Sequence, residues 1–153
     1  RVCPVQIPLR FMNKKVEKMV SVLQTWQALE RQAINDSAEI VEKTSHPLIR
    51  LVMQIIQHDS LMHHRVQQFL VDSVTKEDVP LTREDVAEIW DKIEAHDKVE
   101  KKTIQMAEEL LGQAWSPMHK QLLGYLIMDE KKHDTLLSQL EEVKKGMNQA
   151  SGG

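Results

Sequence analysis

A chain of 153 residues with 41% hydrophobic residues and five glycines is long enough for its own core and has a globular, not a disordered, composition. Its net charge of −3, with both signs interleaved, gives no indication of a nucleic-acid or anionic-membrane surface, and no apolar run approaches the ~20 residues that span a membrane. The single cysteine, Cys3, excludes an internal disulfide and fits a reducing compartment, so we expect a cytoplasmic protein.

The first half of the chain is predicted to form a helical hairpin. Residues 1–13 contain two prolines and are expected to be an irregular lead-in. Apolar residues then recur at helical spacing over 14–43, and after a short break Pro47 suits the first turn of a second helix, predicted over 47–70. The stripes expected to face the core are Val16, Met19, Leu23, Trp26, Ile34 and Val41, followed by Leu51, Val52, Ile55, Ile56, Met62, Val66 and Leu70.

The second half begins after a polar connection over 71–81. Thr82 has the character of a helix N-cap, with Asp85 three residues on as the other member of a capping box. The third helix is predicted to run from there to about Leu111 and to stop at Gly112. Fully extended, the connection reaches about 40 Å, which permits a long crossover between helices two and three and leaves a simple up-down-up-down order open.

The fourth helix is predicted to start at Pro117 and to end at Gly146, and residues 147–153 are expected to be a flexible tail. Four amphipathic helices joined by short breaks are typical of a four-helix bundle. The fold class is therefore all-α, with one bundle domain over 14–146 built from two similar hairpins.

The two hairpins match each other when the chain is offset by 70 residues without a gap. The matched pairs are Val16/Val86, Glu30/Glu100, Ile34/Ile104, Pro47/Pro117, Asp59/Asp129, His63/His133 and Leu70/Leu140, while Ser60 stands opposite Glu130. Any two amphipathic hairpins share apolar matches. A glutamate, an aspartate and a histidine in the same register twice favour a shared polar site.

The polar members of the repeat lie on or beside the apolar stripes. A carboxylate on a buried helix face is costly unless it is paired or bound to a metal, which applies to Glu30 and Glu100. Glu130 and His133 are three residues apart and project from one face of a helix. A Glu-x-x-His pair in a helical bundle is the usual way to present a carboxylate and an imidazole to a metal.

These residues resemble the ferritin-like superfamily, the di-metal carboxylate four-helix bundles that include rubrerythrins and bacterioferritins. The resemblance implies the metal ligands Glu30, His63, Glu100, Glu130 and His133. It also implies that Asp59 and Asp129 accept hydrogen bonds from the ligating imidazoles, with Asp129 holding His63 and Asp59 holding His133, or else ligate directly. Iron is the expected metal, and manganese or zinc would also suit such ligands.

Ser60 departs from the family pattern, which has a bridging glutamate at this position. The site is therefore expected to hold either one ion or two, and Ser60 itself is only a weak ligand candidate.

Three further residues of the third helix are candidates of lower rank. Asp97 could replace or assist Glu100, and Glu94 flanks the same stripe. His96 stands where Trp26 stands in the first half and could be a core histidine.

Two classes of function remain open. The first is a ferritin-like metal-binding protein that handles iron, O2 or peroxide, with an iron-dependent oxidoreductase as its enzymatic version. The alternative is a non-catalytic bundle with a structural or sensory metal site, or with a metal-free buried polar network. Metal ions and O2 or peroxide are the expected partners, without nucleic acid or membrane, and a homodimer through a residual apolar face is compatible with the pattern.

Overall fold

The computed structural model describes residues 13–76 and 80–149, which are all-α, with five helices and no strand. The chain divides into two compact units, Arg1–Val79 and Pro80–Gly153. The first contains α1 (Lys14–Lys43) and α2 (Pro47–Thr75), and the second contains α3 (Arg83–Ala87), α4 (Trp90–Gln113) and α5 (Pro117–Gln149). The all-α prediction is confirmed, while the single four-helix bundle and the long crossover stay predictions.

No helix within the described ranges has both the length and the apolar content that crossing a membrane requires.

The first hairpin begins and turns where local chemistry predicts. Asn13 caps α1 by accepting the Lys15 N–H at 3.0 Å, and Pro47 occupies the first turn of α2. The predicted end of α2 at residue 70 is wrong, because the helix continues to Thr75. Val71 is buried in a cluster with Val20 and Leu23 on α1, and this packing keeps the end of α2 helical.

The seam between α1 and α2 is more polar than the predicted stripes. Its buried positions are Val20, Leu23, Gln27, Glu30 and Ser37 on α1 and Ser60, Gln67 and Val71 on α2. Several stripe residues, including Trp26 (51% exposed), Met62 and Val66, lie outside this seam, and their burial in a four-helix core stays a prediction. The buried α1 positions follow the alternating three- and four-residue spacing of a two-helix seam, which is narrower than the whole apolar stripe.

The second unit starts with the capping box expected from the sequence. The hydroxyl of Thr82 accepts the Asp85 N–H, and the Asp85 carboxylate accepts the Thr82 N–H at 2.9 Å. The predicted continuous third helix is wrong, because residues 88–89 form a turn between α3 and α4. Ile89 there has φ −110° and ψ −5°, away from helical values. Trp90 follows, buried, with the Nζ of Lys144 on α5 lying 4.0 Å from the centre of its ring.

Glycine does not end either long helix of the second unit. α4 passes Gly112 and ends at Gln113, and α5 passes Gly146 and ends at Gln149, so the predicted end at Gly146 is wrong. Neither glycine has a positive φ, the conformation through which glycine usually terminates a helix. The Arg83 guanidinium donates to the Met147 carbonyl at 2.9 Å and satisfies one of the acceptors left at the end of α5.

The predicted lead-in and the predicted tail lie mostly outside the residues that the structure describes. Within the lead-in only Asn13 is described, and within the tail only residues 147–149, which are helical; the rest of both segments lies outside the described residues.

The capping box makes stability depend on pH. The Thr82 backbone N–H and then its hydroxyl donate to Asp85 and hold the pKa of that carboxyl below its usual 3.8. A lowered folded-state pKa stabilises above the unfolded value and is lost as the pH falls through the folded value. We expect Asp85→Ala to lower the melting temperature at pH 6 and to lower it less at pH 3, measured by circular dichroism.

Glu84→Ala is the matched control, since it removes the same charge from the same helical turn without removing the box. An equal loss at both pH values in Asp85→Ala would contradict the role of the ionised carboxylate.

Candidate metal centre

Two helices of the second unit bring three of the predicted ligands together. Glu100 projects from α4, and Glu130 and His133 project from neighbouring turns of α5. One ligand atom from each lies within 4.8 Å of the other two. The short connection over 114–116 makes α4 and α5 antiparallel neighbours and so fixes this register.

The separations within this cluster suit a metal ion. His133 Nδ1 lies 3.5 Å from Glu100 Oε1 and 3.6 Å from Glu130 Oε2. Two ligand atoms that each bind one metal at about 2.1 Å with a tetrahedral angle between them are about 3.4 Å apart. Three side chains with this spacing and these donor atoms could therefore hold one ion.

Glu100 is the buried member of the cluster, with its side chain 8% exposed. Its Oε1 faces the Nε2 of His96 at 2.8 Å and the Nδ1 of His133. Its Oε2 is buried and has no hydrogen-bond donor among the described residues while both glutamates are ionised. A buried carboxylate oxygen in this condition destabilises the fold unless a proton or a cation reaches it.

Without a metal, a proton shared between Glu100 and Glu130 would satisfy the buried carboxylate oxygen. The hydrogen bond with Glu130, assisted by the charges of His133 and His96, lowers the pKa of Glu100 despite its burial. The same hydrogen bond, with burial and the Glu100 charge, raises the pKa of Glu130. Two facing carboxylates resist joint ionisation, so one retains its proton more tightly. The position of that proton is also where a cation would bind.

The second nitrogen of His133 faces an acceptor on its own helix. His133 Nε2 is 3.6 Å from Asp129 Oδ2, which is ion-pair range but longer than a hydrogen bond, and Asp129 also pairs with Lys132. A ligating imidazole is commonly oriented by such a carboxylate. The predicted pairs Asp129 with His63 and Asp59 with His133 each join the two units and stay predictions.

The first hairpin repeats this arrangement with a different partner. The Oε1 of the buried Glu30 lies 3.3 Å from His63 Nδ1, and Ser60 and Trp26 both hydrogen-bond to its carboxylate. Burial opposes ionisation of Glu30, but the Ser60 hydrogen bond and the interactions with His63 and Trp26 outweigh it and lower its pKa. Ser60 is buried in the seam where its counterpart in the second hairpin is Glu130.

The predicted ligand set therefore appears as two groups. Glu30 and His63 are together in the first hairpin, while Glu100, Glu130 and His133 are together in the second. That all five meet at one centre stays a prediction.

The lower-ranked candidates have other partners. Asp97 pairs with Lys101 and hydrogen-bonds to Asp134, and Glu94 accepts the indole N–H of Trp90 at 2.8 Å. Neither belongs to the cluster with Glu100.

His96 is the functional neighbour that the sequence prediction missed. Its side chain is 60% exposed, so the expected core histidine is wrong, and it contacts the Glu100 carboxylate from one turn earlier on α4. The spacing of four residues between His96 and Glu100 was the signal that could have identified this contact.

Fold and geometry together define an all-α chain with a carboxylate–histidine cluster between two helices of its second unit. No protein-family model, curated protein or solved structure matches the chain. The ferritin-like resemblance stays a prediction based on the motif and the repeat, and so do the cytoplasmic location and the homodimer.

Proposed function

We propose that this protein binds a first-row divalent cation through Glu100, Glu130 and His133. One observation supports the proposal above the others: a carboxylate more than nine-tenths buried keeps an oxygen without a donor and faces a second carboxylate and an imidazole. A cation would satisfy that oxygen and offset the charge of both glutamates. Surface acidic groups lack this feature, because water satisfies their oxygens.

The donor atoms limit the choice of ion. Two carboxylates and one imidazole suit Fe(II), Mn(II) or Zn(II) better than a soft, thiolate-preferring metal. Iron comes first because of the ferritin-like resemblance. Three protein ligands leave a coordination position for water or a small molecule. The enzymatic version, in which bound iron reacts with O2 or peroxide, depends on that open position.

A metal-free polar network is the second candidate function. It is favoured by the hydrogen bond between Glu130 and Glu100, which satisfies both groups when one proton is retained. Such a network would fix the register of α4 against α5 without any ion.

Metal titration of the full chain separates the two candidates. We expect Fe(II) under anaerobic conditions, Mn(II) and Zn(II) each to bind in calorimetry and to raise the melting temperature, because an ion that binds only the folded state stabilises it by about 2.7 kcal/mol at 100 times its Kd. Chelation of the metal present after purification should lower the melting temperature again. No heat of binding at millimolar metal and no response to chelator would instead support the metal-free network.

A further inference from the structure

We infer that Ser60 closes the first hairpin to metal, so that the protein takes up one cation per chain, at the second hairpin alone. The inference rests on the proposed function and deepens it, because it identifies which of the two repeated constellations is the site.

The two constellations share three features. Each has a buried glutamate on the first long helix of its hairpin, Glu30 or Glu100. Each has a histidine on the following helix whose Nδ1 faces that glutamate, at 3.3 Å for His63 and 3.5 Å for His133. Each also has an aromatic ring nitrogen one helical turn before the glutamate. The indole of Trp26 hydrogen-bonds to Glu30, and the imidazole of His96 contacts Glu100. The backbone register and the carboxylate's surroundings are therefore alike.

The difference lies in the group that faces the glutamate from the second helix. In the first hairpin this group is the Ser60 hydroxyl, which donates a hydrogen bond to the Glu30 carboxylate. In the second hairpin it is the Glu130 carboxylate, and Oε2 of Glu100 is buried without an N–H or alcohol donor among the described residues. The Ser60 hydroxyl gives Glu30 a hydrogen bond of a kind that Oε2 of Glu100 lacks and that a cation would replace.

The difference in charge between the two constellations also favours cation binding at the second hairpin. With neutral imidazoles, the first constellation carries one negative charge and the second carries two when its glutamates are ionised. Affinity for a divalent cation rises with the number of charged oxygen ligands, and a cation at the first site would also have to displace the hydrogen bond from Ser60. The indole nitrogen of Trp26 is a donor only and offers no lone pair to a metal.

The test measures Zn(II) stoichiometry and affinity by calorimetry and elemental analysis on the full chain. The unsubstituted protein should bind one Zn(II), and Glu30→Gln, which keeps the shape of the side chain, should still bind one with a Kd changed by less than about threefold. Ser60→Glu, which gives the first hairpin the residue of the second, should bind two. If circular dichroism shows that Ser60→Glu unfolds the hairpin, Ser60→Asp takes its place. Its side chain is one methylene shorter than that of glutamate, and it should also bind two Zn(II).

Two results would overturn the inference while leaving the proposed function intact. In the first, the unsubstituted chain binds Zn(II) but Glu30→Gln binds it more than about 10-fold more weakly. A loss of that size is the least that is expected when a group that supports a bound metal is removed. The other is a stoichiometry that stays at one in a folded Ser60→Glu or Ser60→Asp chain. Absence of Zn(II) uptake by the unsubstituted chain would instead overturn the proposed function and this inference together.

Discussion

Replacing Glu100 by glutamine should weaken Zn(II) and Fe(II) binding by at least about 100-fold, because loss of a ligand should exceed the 10- to 100-fold cost of losing a group that only supports one. Glu100 is the buried carboxylate whose Oε2 lacks a donor, and its Oε1 lies 3.5 Å from the His133 imidazole. An amide of the same shape removes the negative charge and presents an NH2 group in place of one oxygen. Calorimetric titration of both metals measures the loss.

Two measurements separate this loss from simple unfolding. The metal-free Glu100→Gln chain should still fold cooperatively, because glutamine keeps the volume of the side chain and its NH2 group can donate to the Glu130 carboxylate. Glu109→Gln is the matched control, since it makes the same charge change on an exposed position of the same helix and should leave both affinities unchanged. A Glu100→Gln chain that binds metal within threefold of the original would contradict the assignment.

Trp90→Ala should have the largest effect on stability. Trp90 is 7% exposed, its ring lies 4.0 Å from the Nζ of Lys144, and its indole N–H donates to Glu94. Truncation of a buried tryptophan costs about 3 kcal/mol or more, which for a chain of this size lowers the melting temperature by roughly 6–12 °C. Thermal unfolding followed by circular dichroism at 222 nm measures it.

The control for this prediction is another tryptophan of the same unit. Trp115 is 84% exposed and has an edge contact with His119, so Trp115→Ala should cost less than about 1 kcal/mol. Equal falls in melting temperature for the two alanine variants would show that Trp90 does not anchor the second unit.

Helix starts were predictable from the sequence because they depend on local chemistry. Pro47 begins α2, and Thr82 with Asp85 forms the capping box before α3. Helix ends depended on packing and were predicted less well. α2 continues to Thr75 because Val71 finds a buried position, and α5 passes Gly146 because glycine permits a helix end without requiring one.

The same distinction applies to the candidate site. Glu130 and His133 were predictable as neighbours because three residues on a helix fix their common face, and the repeat indicated Glu100 as their partner. Burial of Leu23 and Glu30 in the first hairpin was predictable from the stripe, but burial of Gln27 was not, because the apolar periodicity passes through its neighbour Trp26. Hydrophobic spacing shows that a helix is amphipathic but not which neighbour each part of its face contacts.

Anomalous diffraction from crystals of the full chain grown with Zn(II) would locate the ion relative to Glu100, Glu130 and His133. We expect one strong peak per chain, at about 2.0–2.2 Å from a carboxylate oxygen of Glu100, from a carboxylate oxygen of Glu130 and from Nδ1 of His133. A peak at other residues, or no peak between α4 and α5 in crystals that contain bound zinc elsewhere, would contradict it.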